Sequence, residues 1–440
     1  MTFAAAEVPV VKSPSTEPAA VAAPSVSPAI AANEALGRGN LQMADYLCRA
    51  ALRQSPRDAV ALCLLGHLAT SVHRHRLATT YFERALAVHP ASQDVRSWFE
   101  RAREMAQAAD ARRGAGAAGE SRSGKFLLIK AWGYGFWSDM DHVAGQLLLA
   151  ELTGRTPLVH WGSNSLFGSL GVDNAFEQFF QPVSQATVDD VAASVQSIYP
   201  PKWTRETLRA VDVNKTQGPG SRVSCLHLLA RDDDLVVNDF HGKVDDLLPW
   251  IEPDSDFHGL DYASVYRRIF DKYIRLQPPL AARIDAFHAQ HMAGRRWLAV
   301  HVRGSDKVAE LSDLALVNSL YHQRIEREIQ ADPAIGIFLL TDSEHFAREY
   351  RERYGDRILA ADVARTSGIV GVHYGGHGGR KLGEEVVMDT WLAARCDGFL
   401  GNGASNVSTA VRHLKAWAPG TFELIGTDFL TVPNTMLHRW

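Results

Sequence analysis

The segment Trp297–Val302 is almost entirely apolar, and charged residues follow it at once: Arg303, Asp306 and Lys307. Strands buried on both faces of a parallel sheet show this continuous hydrophobic pattern, and ligands bind outside the carboxyl ends of such strands. A guanidinium and an ammonium group at that place suit a diphosphate, because both carry positive charge and several donors. The alternative is a strand followed by a solvated charged loop. The segment therefore predicts a parallel α/β fold with an anion site at the end of this strand.

Short apolar runs and helical stretches alternate through the whole second half of the chain. The predicted strands are Trp297–Val302, Ile335–Leu340, Arg357–Leu359, Gly398–Leu400 and Phe422–Ile425. The predicted helices are Leu316–Gln330, Glu344–Tyr354, Glu384–Arg395 and Asn406–Ala416. Such alternation favours an open parallel sheet with helices on both faces.

The first half begins with a similar strand–turn–helix–strand unit. Phe126–Ile129 and Pro157–Trp161 are predicted strands, and Asp139–Thr153 is the predicted helix between them. Gly133 and Gly135 form the turn, as in a dinucleotide-binding fold, although a plain tight turn is an equally good interpretation. The sequence therefore predicts two Rossmann-like domains across a cleft, at 125–285 and 286–440, with Tyr262–His291 bridging the halves.

An internal repeat with a period of 34 residues precedes these halves. Its matching positions are Ala44, Ala51 and Pro56 in one copy and Ala78, Ala85 and Pro90 in the next. This spacing resembles the tetratricopeptide repeat, in which small residues lie where paired helices touch. Chance spacing in an alanine-rich chain is the alternative. We expect repeats with a capping helix at 29–113, a flexible linker at 114–124 and a disordered leader at 1–28; such repeats bind a protein or peptide partner.

The composition narrows the classes of function. The 440 residues carry a net charge of −4, which gives no support to nucleic-acid binding. The four cysteines lie far apart without a metal-ligand spacing, which indicates free thiols and predicts a cytoplasmic protein. No stretch approaches the roughly 20 apolar residues of a membrane span, so no integral membrane segment is expected.

Two further predicted strands also end in polar residues. One is followed by Asp342, and the other leads through Gly403 to Ser405 and Asn406 at a helix start. Unpaired backbone N–H groups and a hydroxyl at such a place form a phosphate cradle, whereas Ser405 as a simple N-cap is the alternative. Asp389 lies in an apolar helical stretch, where its carboxylate could pair two N–H groups of guanine or make a helix–loop contact. Together these strand ends favour a nucleotide-diphosphate site.

The motif His301-Val302-Arg303…Asp306-Lys307 resembles the signature of the GDP-fucose-dependent fucosyltransferases, and above all the superfamily of the alpha-1,6 nodulation and core fucosyltransferases. Further matching pieces are Gly133 to Trp137, Thr341-Asp342, Val386 to Asp389, and Ser405-Asn406. The resemblance covers much of 125–440. It implies a GT-B enzyme that is inverting and independent of metal, with an acceptor-side first domain and a nucleotide-sugar-binding second domain.

The resemblance also implies roles for individual residues. Arg303 would hold the β-phosphate, His301 and Asp389 would contact guanosine, and Ser405 and Asn406 would cradle the phosphates. The donor site predicted in this way comprises His301, Arg303, Asp306, Asp342, Asp389, Gly403, Ser405, Asn406, Gly133 and Gly135.

The sequence departs from the family pattern at two places. Gly304 stands where the alpha-1,6 pattern has a second arginine, and Leu311 stands where it has an acidic residue. Glu310 is therefore the candidate base for the acceptor hydroxyl, with Arg303 and Lys307 as the other catalytic candidates and Lys307 or Asp306 as a relay. A solvent-facing loop carboxylate is the alternative for Glu310.

Three other functions remain open from the sequence. A metal-dependent GT-A enzyme would need one of the Asp-x-Asp elements that begin at Asp139, Asp232 and Asp254. The chain could also be a scaffold with a degenerate transferase half, or a transferase for GDP-mannose or a UDP-sugar. We expect no metal or other cofactor, a GDP-sugar as the donor, and a glycan or protein as the acceptor.

Overall fold

The computed structural model describes residues 27–116, 124–215, 225–304, 314–368, 371–372, 379–403 and 405–426, with the backbone alone for 112–116. Most of the predicted leader lies outside these ranges. The first described helix already begins at Pro28, the last residue of that predicted leader.

Residues 27–116 form a helical region that begins the described chain. Its helices are α1 (Pro28–Gly37), α2 (Leu41–Gln54), α3 (Ala59–Ser71), α4 (His75–Val88) and α5 (Gln93–Gly116). Successive helices pack against each other, and the alanines at the repeat positions are buried in these contacts. At Gly66 in α3, a Cβ atom would lie 2.5 Å from the Phe82 ring of α4, so this packing requires glycine.

The long helix α5 differs from the predicted domain boundary. It continues to Gly116, three residues into the segment predicted as a linker. The extension comprises Gly114, Ala115 and Gly116; each glycine costs only about 1 kcal/mol in a helix that has already formed, and alanine has the highest helix propensity.

The helical region is fixed to the first α/β half by polar contacts. Arg74 Nη2 donates to the Leu152 carbonyl at 3.0 Å, and the Arg76 N–H donates to Glu252 Oε1 at 3.1 Å. The Arg49 guanidinium lies 5.6 Å from the centre of the Trp250 ring. These contacts set the position of the helical region relative to the first sheet.

The first α/β half contains a parallel sheet in the order β2-β1-β4-β3. The strands are β1 (Phe126–Lys130), β2 (Thr156–His160), β3 (Ile198–Tyr199) and β4 (Leu235–Asn238). Its helices are α6 (Phe136–Thr153), α7 (Val188–Ser194), α8 (Val244–Leu247), α9 (Tyr262–Tyr273) and α10 (Pro278–His291). The predicted strand–turn–helix–strand unit is present, and α9 and α10 occupy the predicted bridge.

The second half contains a parallel sheet in the order β7-β6-β5-β8-β9. The strands are β5 (Trp297–Val302), β6 (Gly336–Thr341), β7 (Ile358–Leu359), β8 (Gly398–Asn402) and β9 (Phe422–Ile425). The helices are α11 (Leu314–Ala331), α12 (Glu344–Tyr354), α13 (Gly379–Arg395) and α14 (Asn406–His413). Every residue of β5 and β6 is buried, as the apolar runs predict, and the predicted α/β class with parallel sheets is confirmed.

Helices α13 and α14 of the second half pack against the first half. Trp137 Nε1 donates to Thr390 Oγ1 at 2.9 Å, and the Trp137 and Trp391 rings stack at 5.8 Å. At the end of α14, the His413 ring stacks on Tyr266 at 3.9 Å. Among the helices that the structure describes, none has the length and apolar character that crossing a membrane requires.

Candidate functional site

The carboxyl ends of β5, β6 and β8 lie side by side at one edge of the second sheet. Val302 pairs with Thr341, and Val300 pairs with Leu400, with all three strands parallel. The chain order places the change of direction between β5 and β8, where open α/β sheets bind ligands. The predicted gathering of these three strand ends is therefore present in the structure.

Arg303 follows β5 and is held by the residue that follows β6. Its Nη1 donates to Asp342 Oδ2, and Asp342 Oδ1 accepts the N–H of Gly304 at 3.2 Å. The Arg303 side chain is 17% exposed, so one end of the guanidinium is fixed while part of it still reaches solvent. Asn318 of α11 donates to the Arg303 carbonyl at 3.0 Å and fixes the backbone as well.

Position 304 has no room for a side chain. A Cβ atom on Gly304 would lie 2.8 Å from the Ser343 Cβ and 3.4 Å from the Phe346 ring. The arginine that the alpha-1,6 pattern has at this place would not fit here without a shift of the turn after β6. The departure from the family pattern therefore has a local packing cause.

His301 is the fifth residue of β5 and is 4% exposed. Its carbonyl accepts the hydroxyl of Tyr321 at 2.8 Å, and its Nδ1 lies 2.7 Å from Ser408 Oγ of α14. Burial, together with the nearby Arg303 guanidinium, lowers the pKa of His301 to about 3. The imidazole is therefore neutral near pH 7, and it serves as a hydrogen-bonding group rather than as a cation.

The turn between β8 and α14 differs from the expected phosphate cradle. The Gly403 N–H donates to the Ile425 carbonyl at 3.0 Å, and the Ser405 N–H donates to the Asn402 carbonyl at 3.1 Å. These two N–H groups are thus paired, the first with the end of β9 and the second within the turn itself. Ser405 is the N-cap residue of α14, but its buried side chain makes no capping hydrogen bond.

Asn406 has a contact that the sequence did not predict. Its Nδ2 donates to Ser138 Oγ at 2.5 Å and so joins the start of α14 to the start of α6. The site edge of the second half therefore lies next to the loop that follows β1.

Asp389 lies on α13 beside two further charged residues, Arg365 and Glu385. The residue is half-buried, but its Oδ1 is sealed from solvent and accepts no hydrogen bond from the described part of the chain. Burial raises the pKa of Asp389 to about 7; Arg365 opposes this rise and Glu385 adds to it. Glu385 Oε2 in turn accepts the Ala364 N–H at 2.9 Å. A buried acceptor without a donor is the arrangement that a ligand with paired N–H groups would complete.

Sequence reasoning missed Arg365 and Glu385. Glu385 stands one turn before Asp389 on the same helix, and that spacing is a signal the sequence does contain. Arg365 lies in an irregular segment after β7, where no periodicity marks it.

Gly133 and Gly135 lie in the loop between β1 and α6. Gly133 has a φ of 95° and donates its N–H to Asp139 Oδ1 at 2.9 Å. Gly135 is the N-cap of α6 with a φ of −58°, which any residue can adopt. Lys215, also missed, fixes this loop through hydrogen bonds from Nζ to the carbonyls of Trp132 at 3.0 Å and Asp239 at 2.8 Å.

The Asp-x-Asp elements make internal contacts. Asp139 holds the Gly133 turn, Asp232 pairs with Lys125, and Asp254 pairs with Arg76. Within the described residues, no group of three or more His, Cys, Asp or Glu side chains could hold a metal ion. Asp306, Lys307, Glu310 and Leu311 lie outside the described residues.

Comparison with known proteins gives structural likeness only. No protein-family model matches the chain, and no curated protein matches it. The structure is similar to NodZ alpha-1,6-fucosyltransferase soaked with GDP-fucose, with 23% identity, a TM-score of 0.45, and coverage of 66% of this chain and 92% of that chain. It is also similar to NodZ alpha-1,6-fucosyltransferase co-crystallized with GDP, with 19% identity, a TM-score of 0.43, and coverage of 66% of this chain and 92% of that chain. A third similar structure is POFUT1 in complex with GDP, with 14% identity, a TM-score of 0.41, and coverage of 69% of this chain and 99% of that chain. At TM-scores this low, the likeness decides neither the activity nor the ligand.

Proposed function

We propose that the chain is a glycosyltransferase that transfers fucose from GDP-fucose to a glycan or protein acceptor. The observation that carries this proposal is the Arg303–Asp342 pair beside the neutral His301 at the junction of β5, β6 and β8. A diphosphate leaving group gains negative charge, and a guanidinium already fixed in place stabilises that charge without reorganisation.

The roles at the phosphate end follow from charge. Arg303 would bind the β-phosphate, and Asp342 would orient Arg303 rather than touch the anionic donor. Lys307 would supply a second positive charge, Asp306 would act as a donor-binding or relay group, and Glu310 would take the acceptor proton. With this set the reaction would invert the fucose anomeric carbon and require no metal.

The guanosine end would lie against His301 and Asp389. Within the described residues, one buried oxygen of the Asp389 carboxylate accepts no hydrogen bond, and guanine offers two adjacent N–H donors on one edge. Ser405 and Asn406 would lie near the phosphates, and Gly133 and Gly135 would line the facing edge of the first half. This arrangement is that of a GT-B enzyme, with the donor on the second domain and the acceptor on the first.

The helical region suggests a large acceptor or a protein partner. Arg74 and Arg76 fix it on the first half, which is the acceptor side of the proposed enzyme. We interpret 29–113 as tetratricopeptide repeats that bind such a partner. The free thiols of Cys48, Cys63, Cys225 and Cys396 support a cytoplasmic location.

The experiment is a screen of GDP-fucose, GDP-mannose and UDP-sugars that monitors hydrolysis without an acceptor, with and without EDTA. We expect GDP-fucose to be the substrate and EDTA to have no effect. In Arg303→Ala, turnover should fall at least about 100-fold in a protein that still folds, whereas the exposed Arg348→Ala is the matched control with normal turnover. GDP that fails to bind in calorimetry would favour the scaffold, and near-normal turnover of Arg303→Ala would mean that the site is elsewhere.

A further inference from the structure

Ser408 joins three parts of the site through one oxygen atom. The residue is fully buried on the first turns of α14. Its Oγ accepts the N–H of Asn402 at 3.1 Å, at the end of β8, and lies 2.7 Å from Nδ1 of His301, at the end of β5. No role for this serine follows from the sequence motif or from the proposed reaction.

The hydrogen bonds determine where the hydroxyl proton goes. The Asn402 N–H occupies one lone pair of Ser408 Oγ, and His301 Nδ1 is the other partner that the described residues provide. A hydroxyl proton without an acceptor inside the protein is unfavourable, and His301 Nδ1 is the acceptor at hand. An imidazole that accepts at Nδ1 carries its own proton on Nε2.

We propose that Ser408 is a positioning residue that holds His301 as the Nε2–H tautomer and so presents an N–H donor to the nucleotide of the donor substrate. This inference rests on the proposed function for the identity of the ligand, but the tautomer itself is a property of the free protein.

The chemistry of the ligand explains why the tautomer matters. A nucleoside diphosphate is rich in acceptors, namely phosphate oxygens, ribose oxygens and the O6 and N7 atoms of guanine. The Nε2–H form donates to any of them, whereas the opposite tautomer would place a lone pair against an acceptor. Burial and the Arg303 guanidinium keep the ring neutral, so Ser408 rather than pH selects its form.

The first test reads the tautomer directly. In the intact protein labelled with ¹⁵N-histidine, the two ring nitrogens of His301 are identified by their loss in His301→Gln among the 18 histidines of the chain. We expect a protonated Nε2 and a bare Nδ1 in the absence of ligand, and a shift of the Nε2 signal when GDP is added. A protonated Nδ1 would overturn the inference, and this measurement needs no variant of Ser408.

The second test separates positioning from structure. In Ser408→Ala we expect GDP to bind about five- to tenfold more weakly and KM for GDP-fucose to rise in proportion, with kcat within about twofold of the wild type. Ser408→Cys, whose thiol is a weak donor, should bind GDP with an affinity between those of the wild type and Ser408→Ala. Thr409→Ala is the matched control, because it removes a hydroxyl of α14 that donates only to the Asn406 carbonyl, at 3.0 Å.

The outcomes distinguish this inference from the proposed function. If wild-type protein does not bind GDP, the proposed function fails, whatever the tautomer. If GDP binds equally well to the wild type and to Ser408→Ala, or if Thr409→Ala weakens binding as much, the positioning role of Ser408 is wrong while the proposed function stands.

Discussion

If the chain binds GDP-fucose as proposed, the titration of Asp389 should make the affinity depend on pH. The buried oxygen of this carboxyl, Oδ1, accepts no hydrogen bond within the described residues, and burial raises the pKa of Asp389 to about 7. Guanine offers two adjacent N–H donors, which pair much more strongly with the charged carboxylate than with its protonated form, because protonation removes the charge and turns one acceptor oxygen into a donor. The affinity should therefore rise as the pH rises through about 7 and then level off.

The size of this effect follows from the pKa. One pH unit below it, about one-eleventh of the molecules carry the charged carboxylate; one unit above it, about ten-elevenths do. If the bound carboxylate no longer titrates in this range, the dissociation constant falls about tenfold between pH 6 and pH 8, which is about 1.4 kcal/mol. GDP-fucose is the right ligand, because a diphosphate esterified at both ends has no ionisation of its own near neutral pH.

The assay is calorimetric titration of GDP-fucose at several pH values, with Asp389→Asn as the matched variant. We expect weak binding by the variant with no dependence on pH in this range. A wild-type affinity that stays flat from pH 6 to pH 8, or a variant that shows the same slope, would refute the role of Asp389.

The same pKa gives a stability readout of opposite sign. A carboxyl whose folded-state pKa lies above its unfolded value of 3.8 binds its proton more tightly in the folded protein, so it lowers stability as the pH rises from about 4 to about 7. Asp389→Asn should therefore melt at a higher temperature than the wild type above pH 7, and the difference should disappear toward pH 4. Lost affinity together with raised stability would mark a site selected for binding.

Two further substitutions test the packing around the site and the attachment of the helical region. In Gly401→Ala the new Cβ would meet the Phe399 ring and lie 2.6 Å from Ser408 Oγ, so we expect a loss of about 1–3 kcal/mol in unfolding free energy and weaker GDP binding. The control is Gly398→Ala in the same strand, whose Cβ would meet only the flexible Leu298 side chain at 3.1 Å and a carbonyl at 3.6 Å, so its loss of unfolding free energy should be smaller. Equal losses in the two variants would contradict this explanation. Arg76 pairs with Asp110 at 2.6 Å and with Asp254, so Arg76→Ala should speed hydrogen exchange in α4 and α5. The unfolding free energy should fall by only about 0.2–1 kcal/mol, because the Arg76 side chain is part-exposed. Unchanged exchange in these helices would show that the two ion pairs do not hold the helical region in place.

The sequence predicts the second sheet well because its signals are local. Strands β5 and β9 and helix α12 have the predicted bounds, and the other elements of that half agree to within a few residues at most ends. Buried parallel strands must be apolar throughout, and each is followed by a helix of clear periodicity, so composition alone locates them. In the first half, the sequence predicts neither β3, which has two residues, nor β4, which has four and is followed only by the four-residue helix α8, so the strand–helix alternation that marks the second half is missing there.

The details of the site depend on contacts between distant residues, which no local pattern encodes. The sequence contains Arg303, Asp342 and His301 as a motif, but not the Arg303–Asp342 pair across 39 positions or the His301–Ser408 contact across 107. The sequence also does not reveal the hydrogen bond from the Gly403 N–H to the Ile425 carbonyl, because that bond depends on how far β9 runs beside β8. Residue types at strand ends can thus be predicted from the sequence, whereas hydrogen-bond partners cannot.

Helix α14 explains why the two halves and the site cannot be considered separately. Its first residue, Asn406, donates to Ser138 of the first half, and its last, His413, stacks on Tyr266. Between them, Ser408 contacts His301 in the centre of the second sheet. A helix of eight residues is only about 12 Å long and bends little, so it moves as one body. A displacement between the halves must therefore either break the contacts at both ends of α14 or pull Ser408 away from His301. The geometry at the end of β5 thus depends on the position of the first half relative to the second.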